Sequence, residues 1–184
     1  IRMNAMSAIG FSQHVGLQLR LIDYYENRNR PLEFYFQQVQ QWEDDGFKLG
    51  IHHIPHDSEK ADVSSGKTAH QTFDEYFGPH NVEMVERIKL IDGIMAARRI
   101  FPRCWFHEDN CSRGVRCLEN YKREWDESAK VFRNIPKHDW SSNGADAFRY
   151  LAVSYQEPKM PDKKKKVDNY VTQMEQGMSK IWGI

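Results

Sequence analysis

The sequence contains no apolar run long enough to cross a membrane, which takes about 20 consecutive apolar residues. Its first residues also lack the order of a secretory signal, a charged stretch followed by an apolar one. Neither sign of charge is in excess, because 26 lysines and arginines balance 26 aspartates and glutamates. We therefore expect a cytoplasmic protein without a membrane anchor, and we expect any contact with nucleic acid to depend on local clusters of cationic side chains.

Cysteine is scarce, with three among 184 residues, and these three lie close together with a histidine among them. The spacing Cys104-x2-His107-x3-Cys111-x5-Cys117 suggests a zinc site, but it lacks the paired C-x2-C or H-x3-H motifs of zinc modules. Cysteines of cytosolic proteins are normally reduced. The sequence therefore favours reduced thiols, with zinc as the alternative.

Large apolar side chains are plentiful, with Phe 10, Tyr 8 and Trp 5, enough for the core of one domain. Two extended stretches, 8–14 and 17–26, meet near Gly16 and predict an antiparallel hairpin. Helical and extended patterns then alternate along the chain, which predicts an α/β domain over residues 1–155 with a mixed central sheet flanked by helices. The helices are expected at about 32–42, 68–77, 91–100, from Val115 through Leu118 and Tyr121 to Trp125, and after 141; the strands are expected at 47–55, 81–85 and 103–106.

Beyond residue 155 the composition changes. Residues 156–162 contain Pro158 and Pro161, and four consecutive lysines follow at 163–166. This pattern predicts a basic linker and C-terminal tail over 156–184. The lysine run also resembles a nuclear import signal, but a solvated tail is the favoured interpretation.

Two acidic residues stand where an α/β fold can bring them together. Asp57 follows the apolar stretch 51–54, and open α/β folds bind ligands at the carboxyl ends of their strands. Asp146 is expected in the first turn of the helix that begins near 141–143. Two carboxylates can hold Mg²⁺ or Mn²⁺ for two-metal phosphodiester hydrolysis, which predicts a separation of about 4 to 8 Å between them. The alternative for Asp146 is a structural pairing with Arg149.

Five segments together resemble the C-terminal nuclease domain of the large terminase subunits of tailed phages and prophages. They are 19–26 (LRLIDYYE), 53–57 (HIPHD), 101–106 (FPRCWF), 121–126 (YKREWD) and 138–152 (HDWSSNGADAFRYLA), in this order. The resemblance implies an RNase H-like fold and an endonuclease that cuts concatemeric double-stranded viral DNA with acidic residues and two Mg²⁺ or Mn²⁺ ions. It also implies the cytoplasm of a bacterial host, and as partners the terminase ATPase domain, the small terminase subunit and the portal protein.

The resemblance assigns roles to individual acids. Asp57 matches the acid after the central strand and Asp146 the acid of the late helix, both as catalytic metal ligands. Asp139 is a further candidate ligand, although its place before the helix also suits capping the turn or orienting His138.

Two departures from the family pattern bear on catalysis. The family's first acid lies on the first strand, just before the position of Ile1, and Ala5 stands about where a second aspartate is expected. Asn143 replaces the histidine of the family's Ser-His-Gly-Ala-Asp motif, which removes an imidazole. These departures keep open an alternative: a catalytically silent DNA-binding or portal-docking module of prophage origin.

The stretch 61–68 nearly spells a phosphate-binding loop. Ala61 stands where glycine is required and the stretch does not directly follow its strand, so we expect no ATPase site here. Lys60 and Lys67 at its ends are candidates for contact with the DNA backbone, with simple solvation of the loop as the alternative.

Overall fold

A computed structural model describes residues 6–60 and 66–155, which form a mixed α/β fold. No helix in these two ranges is long and apolar enough to cross a membrane. The expected tail with Lys163–Lys166, Ala5 and most of the loop resembling a phosphate-binding motif lie outside them. The strands are β1 (Met6–Val15), β2 (Gln18–Arg28), β3 (His52–Ile54), β4 (Val82–Met84), β5 (Cys104–Phe106), β6 (Arg123–Asp126) and β7 (Val131–Pro136). The helices are α1 (Leu32–Asp44), α2 (Ala69–Phe77), α3 (Leu90–Ile100), α4 (Ser112–Asn120) and α5 (Ser142–Ser154).

The mixed sheet is built on the predicted hairpin. β1 and β2 pair antiparallel around Gly16, whose φ of 60° suits a residue without a Cβ. β5 adds in parallel to the other edge of β2, where Leu19 pairs with Cys104. The predicted mixed sheet flanked by helices is thereby confirmed.

An extra residue in β2 changes which side chains face the helices. The register shifts between Phe11 and Ser12 of β1, and Ile22 of β2 is left over. Such a bulge moves the following side chains to the opposite face of the sheet. Leu21 before the bulge and Tyr24 after it therefore both reach the α4 and α5 side. Side chains of β2 that would otherwise lie on opposite faces of the sheet therefore share one core.

The main core lies between this sheet and the helices α3, α4 and α5. Its buried members are Leu19, Leu21, Ile100, Cys111, Phe148 and Ala152. On the other side α1 packs through Trp42, whose ring stacks on Phe11 with centroids 4.9 Å apart. The Trp42 Nε1–H also donates to the Asp23 carboxylate at 2.6 Å. Helices therefore cover both faces of the sheet.

β3 and β4 form a separate parallel pair. The strand expected over 47–55 is shorter, since only His52–Ile54 makes ladder hydrogen bonds. Phe47, at the start of the expected stretch, instead packs edge-on against Phe11 with ring centroids 5.3 Å apart. The first part of the predicted strand therefore packs through Phe47 and pairs with no other strand within 6–60 and 66–155.

The prediction of one helix from Val115 to Trp125 is wrong. α4 ends at Asn120, and Tyr121 already has extended backbone angles. Trp125 belongs to β6, which pairs antiparallel with β7, and its ring meets Phe132 with centroids 4.8 Å apart. Leu118, Tyr121 and Trp125 have helical spacing in the sequence. Trp125 is nevertheless in a strand, because it pairs with Phe132 on the other side of the turn between β6 and β7.

Candidate functional site

The carboxyl ends of β3 and β4 meet at one edge because the two strands run parallel. Pro55 ends β3, since proline has no backbone N–H to donate to a ladder. A short 3₁₀ helix, His56–Glu59, follows directly. Asp57 lies in its first turn, exposed to solvent. The structure thus places Asp57 beyond the end of a strand, as expected from the sequence.

Asp146 is the fifth residue of α5, which begins at Ser142, so its predicted place in the first turn is wrong. The structural pairing with Arg149 is present, because Arg149 Nε donates to Asp146 Oδ1 at 3.1 Å. The guanidinium also lies over the Tyr150 ring, 4.6 Å from its centroid. The Asp146 side chain is 38% exposed against 12% for Arg149, so the carboxylate is the partner that faces solvent.

The two acids lie on neighbouring elements. β3 packs against α5, and the His56 ring lies 6.1 Å from the Tyr150 ring, measured between centroids. His56 precedes Asp57, and Tyr150 lies one helical turn after Asp146. The Nδ1 atom of His56 is buried and has no hydrogen-bond partner among the described residues. A carboxylate separation of about 4 to 8 Å stays a prediction.

Asp139 shapes the turn that leads into α5. Its Oδ1 accepts hydrogen bonds from the Ser141 hydroxyl at 2.7 Å and the Ser141 N–H at 3.0 Å. Its own N–H donates to Ser142 Oγ at 2.9 Å. The bonds from Ser141, the hydroxyl first, hold the pKa of Asp139 below its ordinary value. This geometry fits the structural alternative that the sequence offered for Asp139.

The two lysines expected near DNA have different surroundings. Lys67 Nζ lies 2.8 Å from both carboxylate oxygens of Glu75, so part of its charge is compensated. Lys60 is exposed. Thr68, beside Lys67, forms a capping box with Gln71 at the start of α2. The residues that resemble the end of a phosphate-binding loop therefore begin a helix here.

Cys104, His107, Cys111 and Cys117 do not converge. Within 6–60 and 66–155 no three His, Cys, Asp or Glu side chains are grouped so that they could hold a metal ion. The three thiols point to separate partners, and burial raises the pKa of each, that of Cys104 to about 11. Those partners are the Ile100 carbonyl, the Leu21 carbonyl and the Glu26 carboxylate for Cys104, Cys111 and Cys117 in turn.

A buried polar junction that the sequence did not reveal joins β2 to α4. The Glu26 carboxylate, with a side chain only 10% exposed, accepts from the Tyr24 hydroxyl and from Arg113 Nε, both at 2.5 Å. Burial first, and then Glu26, raise the pKa of Tyr24 well above its ordinary value. The Arg113 guanidinium lies over Trp140, 4.5 Å from the ring centroid. The bulge at Ile22 is what aims Tyr24 and Glu26 at these helices.

Two glycines let the helices approach this junction. A Cβ on Gly144 of α5 would lie 2.7 Å from the Tyr24 hydroxyl oxygen and 2.7 Å from the Cys117 Cβ. A Cβ on Gly114 of α4 would lie 2.9 Å from the Tyr24 ring. This close packing holds α5, the helix that carries Asp146, against β2 and α4.

The fold resembles that of phage large terminases. Two crystal forms of the large terminase from a thermophilic bacteriophage each match with a TM-score of 0.60 at 15% sequence identity. The match covers 83% of this chain and 37% of the terminase chain in one form, and 83% and 36% in the other. The chain therefore spans well under half the length of these terminases, and at this identity the likeness concerns the fold. No protein-family model matches the sequence, and no curated protein matches it.

Proposed function

We propose that this chain is a nuclease domain of a DNA-packaging terminase large subunit, a divalent-metal-dependent endonuclease that cuts concatemeric double-stranded DNA. The observation that carries the proposal is the placement of Asp57 beyond the end of β3, beside the helix that bears Asp146. The likeness to the large terminase of the thermophilic phage supports it at the level of the fold.

The donor chemistry of the two acids fits Mg²⁺ or Mn²⁺, which prefer oxygen ligands. Asp57 and Asp146 would hold the ions, and Arg149 would fix the rotamer of Asp146 through its bond to Oδ1. When bound, two ions activate the attacking water and stabilise the leaving oxygen. Asp139 is the further candidate ligand. By the resemblance, another carboxylate belongs to the first strand, upstream of β1.

Amide substitutions at the acids test the proposal. Asp57→Asn and Asp146→Asn each remove a charged ligand, so nicking of plasmid DNA in Mn²⁺ should fall to the level without protein. The reference is a form extended upstream of Ile1 to include the first-strand acid. Asp139→Asn should retain more activity, since the Asp139 carboxylate already accepts hydrogen bonds from Ser141 in the turn before α5. If both Asp57 and Asp146 variants cut as well as the reference, the nuclease proposal is wrong.

The partners follow from the same proposal. They are double-stranded DNA, the terminase ATPase domain, the small terminase subunit and the portal protein, in the cytoplasm of a bacterial host. Lys60, Lys67 and the lysine run 163–166 are the candidate DNA contacts. DNA affinity should therefore fall with salt, with a slope of log affinity against log salt of about −0.9 for each phosphate that these cations contact.

The second candidate is a catalytically silent DNA-binding or portal-docking module of prophage origin. The ion pair between Asp146 and Arg149 favours it, because the guanidinium already compensates the carboxylate. Ala5 and Asn143, at positions where the family carries acid and imidazole, favour it as well. Calorimetric titration with Mn²⁺ separates the two candidates: the nuclease binds the metal through Asp57, and the silent module binds DNA or portal protein without it.

A further inference from the structure

Arg87 stands at the same edge as Asp57. Ile54 of β3 pairs with Met84 of β4, and the Val85 N–H donates to the Ile54 carbonyl at 2.8 Å. Asp57 and Arg87 each lie three residues beyond this last pair. Because parallel strands end at a common edge, the chain leaves β4 beside the short helix that carries Asp57.

The same connecting segment reaches the second acid at its other end. Lys89 directly precedes α3, and α3 packs against α5. The contact is close at Gly93, where a Cβ would lie 2.9 Å from both Cγ and Cδ of Arg149. Arg149 is the residue that holds Asp146. Residues 86–93 therefore run from the Asp57 edge to the Asp146 ion pair.

Arg87 and Lys89 have no evident role in the fold. Both are exposed, and neither forms an ion pair with a residue inside 6–60 or 66–155. Lys89 also precedes the first turn of α3, where the helix dipole disfavours a positive charge. By contrast, Arg98 and Arg99 occupy the last turn of α3, where the dipole favours cations.

We propose that Arg87 and Lys89 bind backbone phosphates of the DNA next to the one that is cut, holding the strand across Asp57 and Asp146. This inference rests on the proposed nuclease function. Two carboxylates repel a polyanion, and a chain of zero net charge supplies no general attraction, so positioning must come from cations at the site. Phosphate contacts fix the position of the duplex without selecting its sequence.

The double variant R87Q/K89Q tests the inference by equilibrium binding to a short duplex DNA in EDTA, where no metal-dependent cutting occurs. Loss of two phosphate contacts should lower the slope of log affinity against log salt by about 1.8, roughly 0.9 for each contact. Single variants should each give half of this change. The charge-conserving variant R87K/K89R should retain the parental slope. In the nicking assay, R87Q/K89Q should raise the DNA concentration needed for half-maximal rate more than it lowers the maximal rate.

R98Q/R99Q is the matched control, with the same change of charge at the other end of α3, about 14 Å along the helix from Lys89. It should leave the slope within the error of the parent. The parent in the nicking assay is the extended form used as the reference above. If R87Q/K89Q keeps the parental slope, or if the control loses as much, the inference is overturned, while cutting by that parent upholds the nuclease proposal. If that parent neither binds nor cuts DNA, both are overturned.

Discussion

The junction around Glu26 and the edge around Asp57 are both rich in polar side chains, but they differ in the burial and the hydrogen bonding of their carboxylates. At the junction the carboxylate is buried and accepts from Tyr24 and Arg113. At the edge Asp57 is exposed, and the buried Nδ1 of its neighbour His56 has no partner among the described residues. The junction pairs its polar groups internally, whereas at the edge the Asp57 carboxylate stays open to solvent.

The strands and helices that carry the two regions differ as well. The junction is built on β2, an 11-residue strand, and on two helices in contact with it through glycines. The edge is built on strands of three residues each. Fully paired buried polar groups make a fold rigid, and polar groups left open are typical of sites that meet a ligand. We therefore expect substitutions at the junction to change stability and substitutions at the edge to change function.

The largest loss of stability is expected for Gly144→Ala. Alanine favours a helix by about 1 kcal/mol over glycine, but the new methyl group would overlap Tyr24 and the Cβ of Cys117, which is not a flexible end. Overpacking of this kind costs about 1–3 kcal/mol or more. The net expectation is a loss of about 2 kcal/mol in the free energy of unfolding, measured in urea.

Gly10→Ala is the control for that variant, because a Cβ on Gly10 would meet nothing within 4 Å. It should leave the free energy of unfolding unchanged or raise it by up to about 1 kcal/mol, since alanine is favoured over glycine inside a strand. Equal losses for Gly10→Ala and Gly144→Ala would remove the packing explanation for the junction.

Glu26→Gln should cost slightly less, about 1.5–2 kcal/mol. The amide keeps the shape of the side chain and one acceptor oxygen, but it loses the negative charge and the second acceptor. A hydrogen bond to a charged group contributes about 1.5–3 kcal/mol. The loss stays below the range for a fully buried pair because the Arg113 side chain is 40% exposed and keeps contact with water.

Glu124→Gln on the β6–β7 hairpin provides the comparison for Glu26→Gln. Glu124 also pairs with an arginine, Arg133 at 3.5 Å, but both side chains are well exposed. Such surface pairs contribute between zero and about 1 kcal/mol. If Glu124→Gln destabilises the protein as much as Glu26→Gln, burial is not what distinguishes the two carboxylates.

The sequence predicted the elements that depend on local signals. The β1–β2 hairpin was predicted from two extended stretches that meet near Gly16, and α1 from apolar spacing that starts after Pro31. The range predicted for the next helix, 68–77, also agrees with α2. The strand end at Asp57 is local too, because Pro55 closes β3. These predictions succeeded because each needed only neighbours in the sequence.

What the sequence did not predict depends on distant partners. Trp125 leaves the helical pattern because it pairs with Phe132, and Ile22 becomes a bulge because β1 has one residue fewer at that point. The burial of Glu26 follows from that bulge and from Arg113, 87 residues along the chain. A side chain's partner on another element is set by packing, which a single sequence does not show.

Asp139→Ala should cost about 1 kcal/mol at neutral pH, since it removes the acceptor for Ser141. The pKa of Asp139 is lower in the folded protein than its ordinary value of about 3.9. Its contribution is therefore present above that value and is lost as the pH falls through the folded pKa. Urea unfolding of parent and variant should accordingly differ more at pH 6 than at pH values below the ordinary pKa of about 3.9. A difference that stays constant over this range would mean that the charge of Asp139 contributes nothing.

The smallest effect on stability is expected at the edge itself. Asp57 is exposed and forms no ion pair with another described residue, so Asp57→Asn should leave the metal-free free energy of unfolding within about 0.5 kcal/mol of the parent. A loss comparable to that of Glu26→Gln would show that Asp57 supports the fold, and the contrast between edge and junction would disappear.

Mn²⁺ should make the parent and Asp57→Asn, which are expected to be equally stable without metal, differ in their free energy of unfolding. A ligand that binds only the folded state adds about 2.7 kcal/mol when its concentration is 100 times its dissociation constant. The parent should therefore become more resistant to urea as Mn²⁺ is raised, and Asp57→Asn should respond much less, because one charged ligand is gone. Glu26→Gln should respond as the parent does from its lower starting stability, since its carboxylate faces Arg113 inside the fold. If Mn²⁺ stabilises Asp57→Asn as strongly as the parent, Asp57 does not hold the metal, whatever the nicking assay shows.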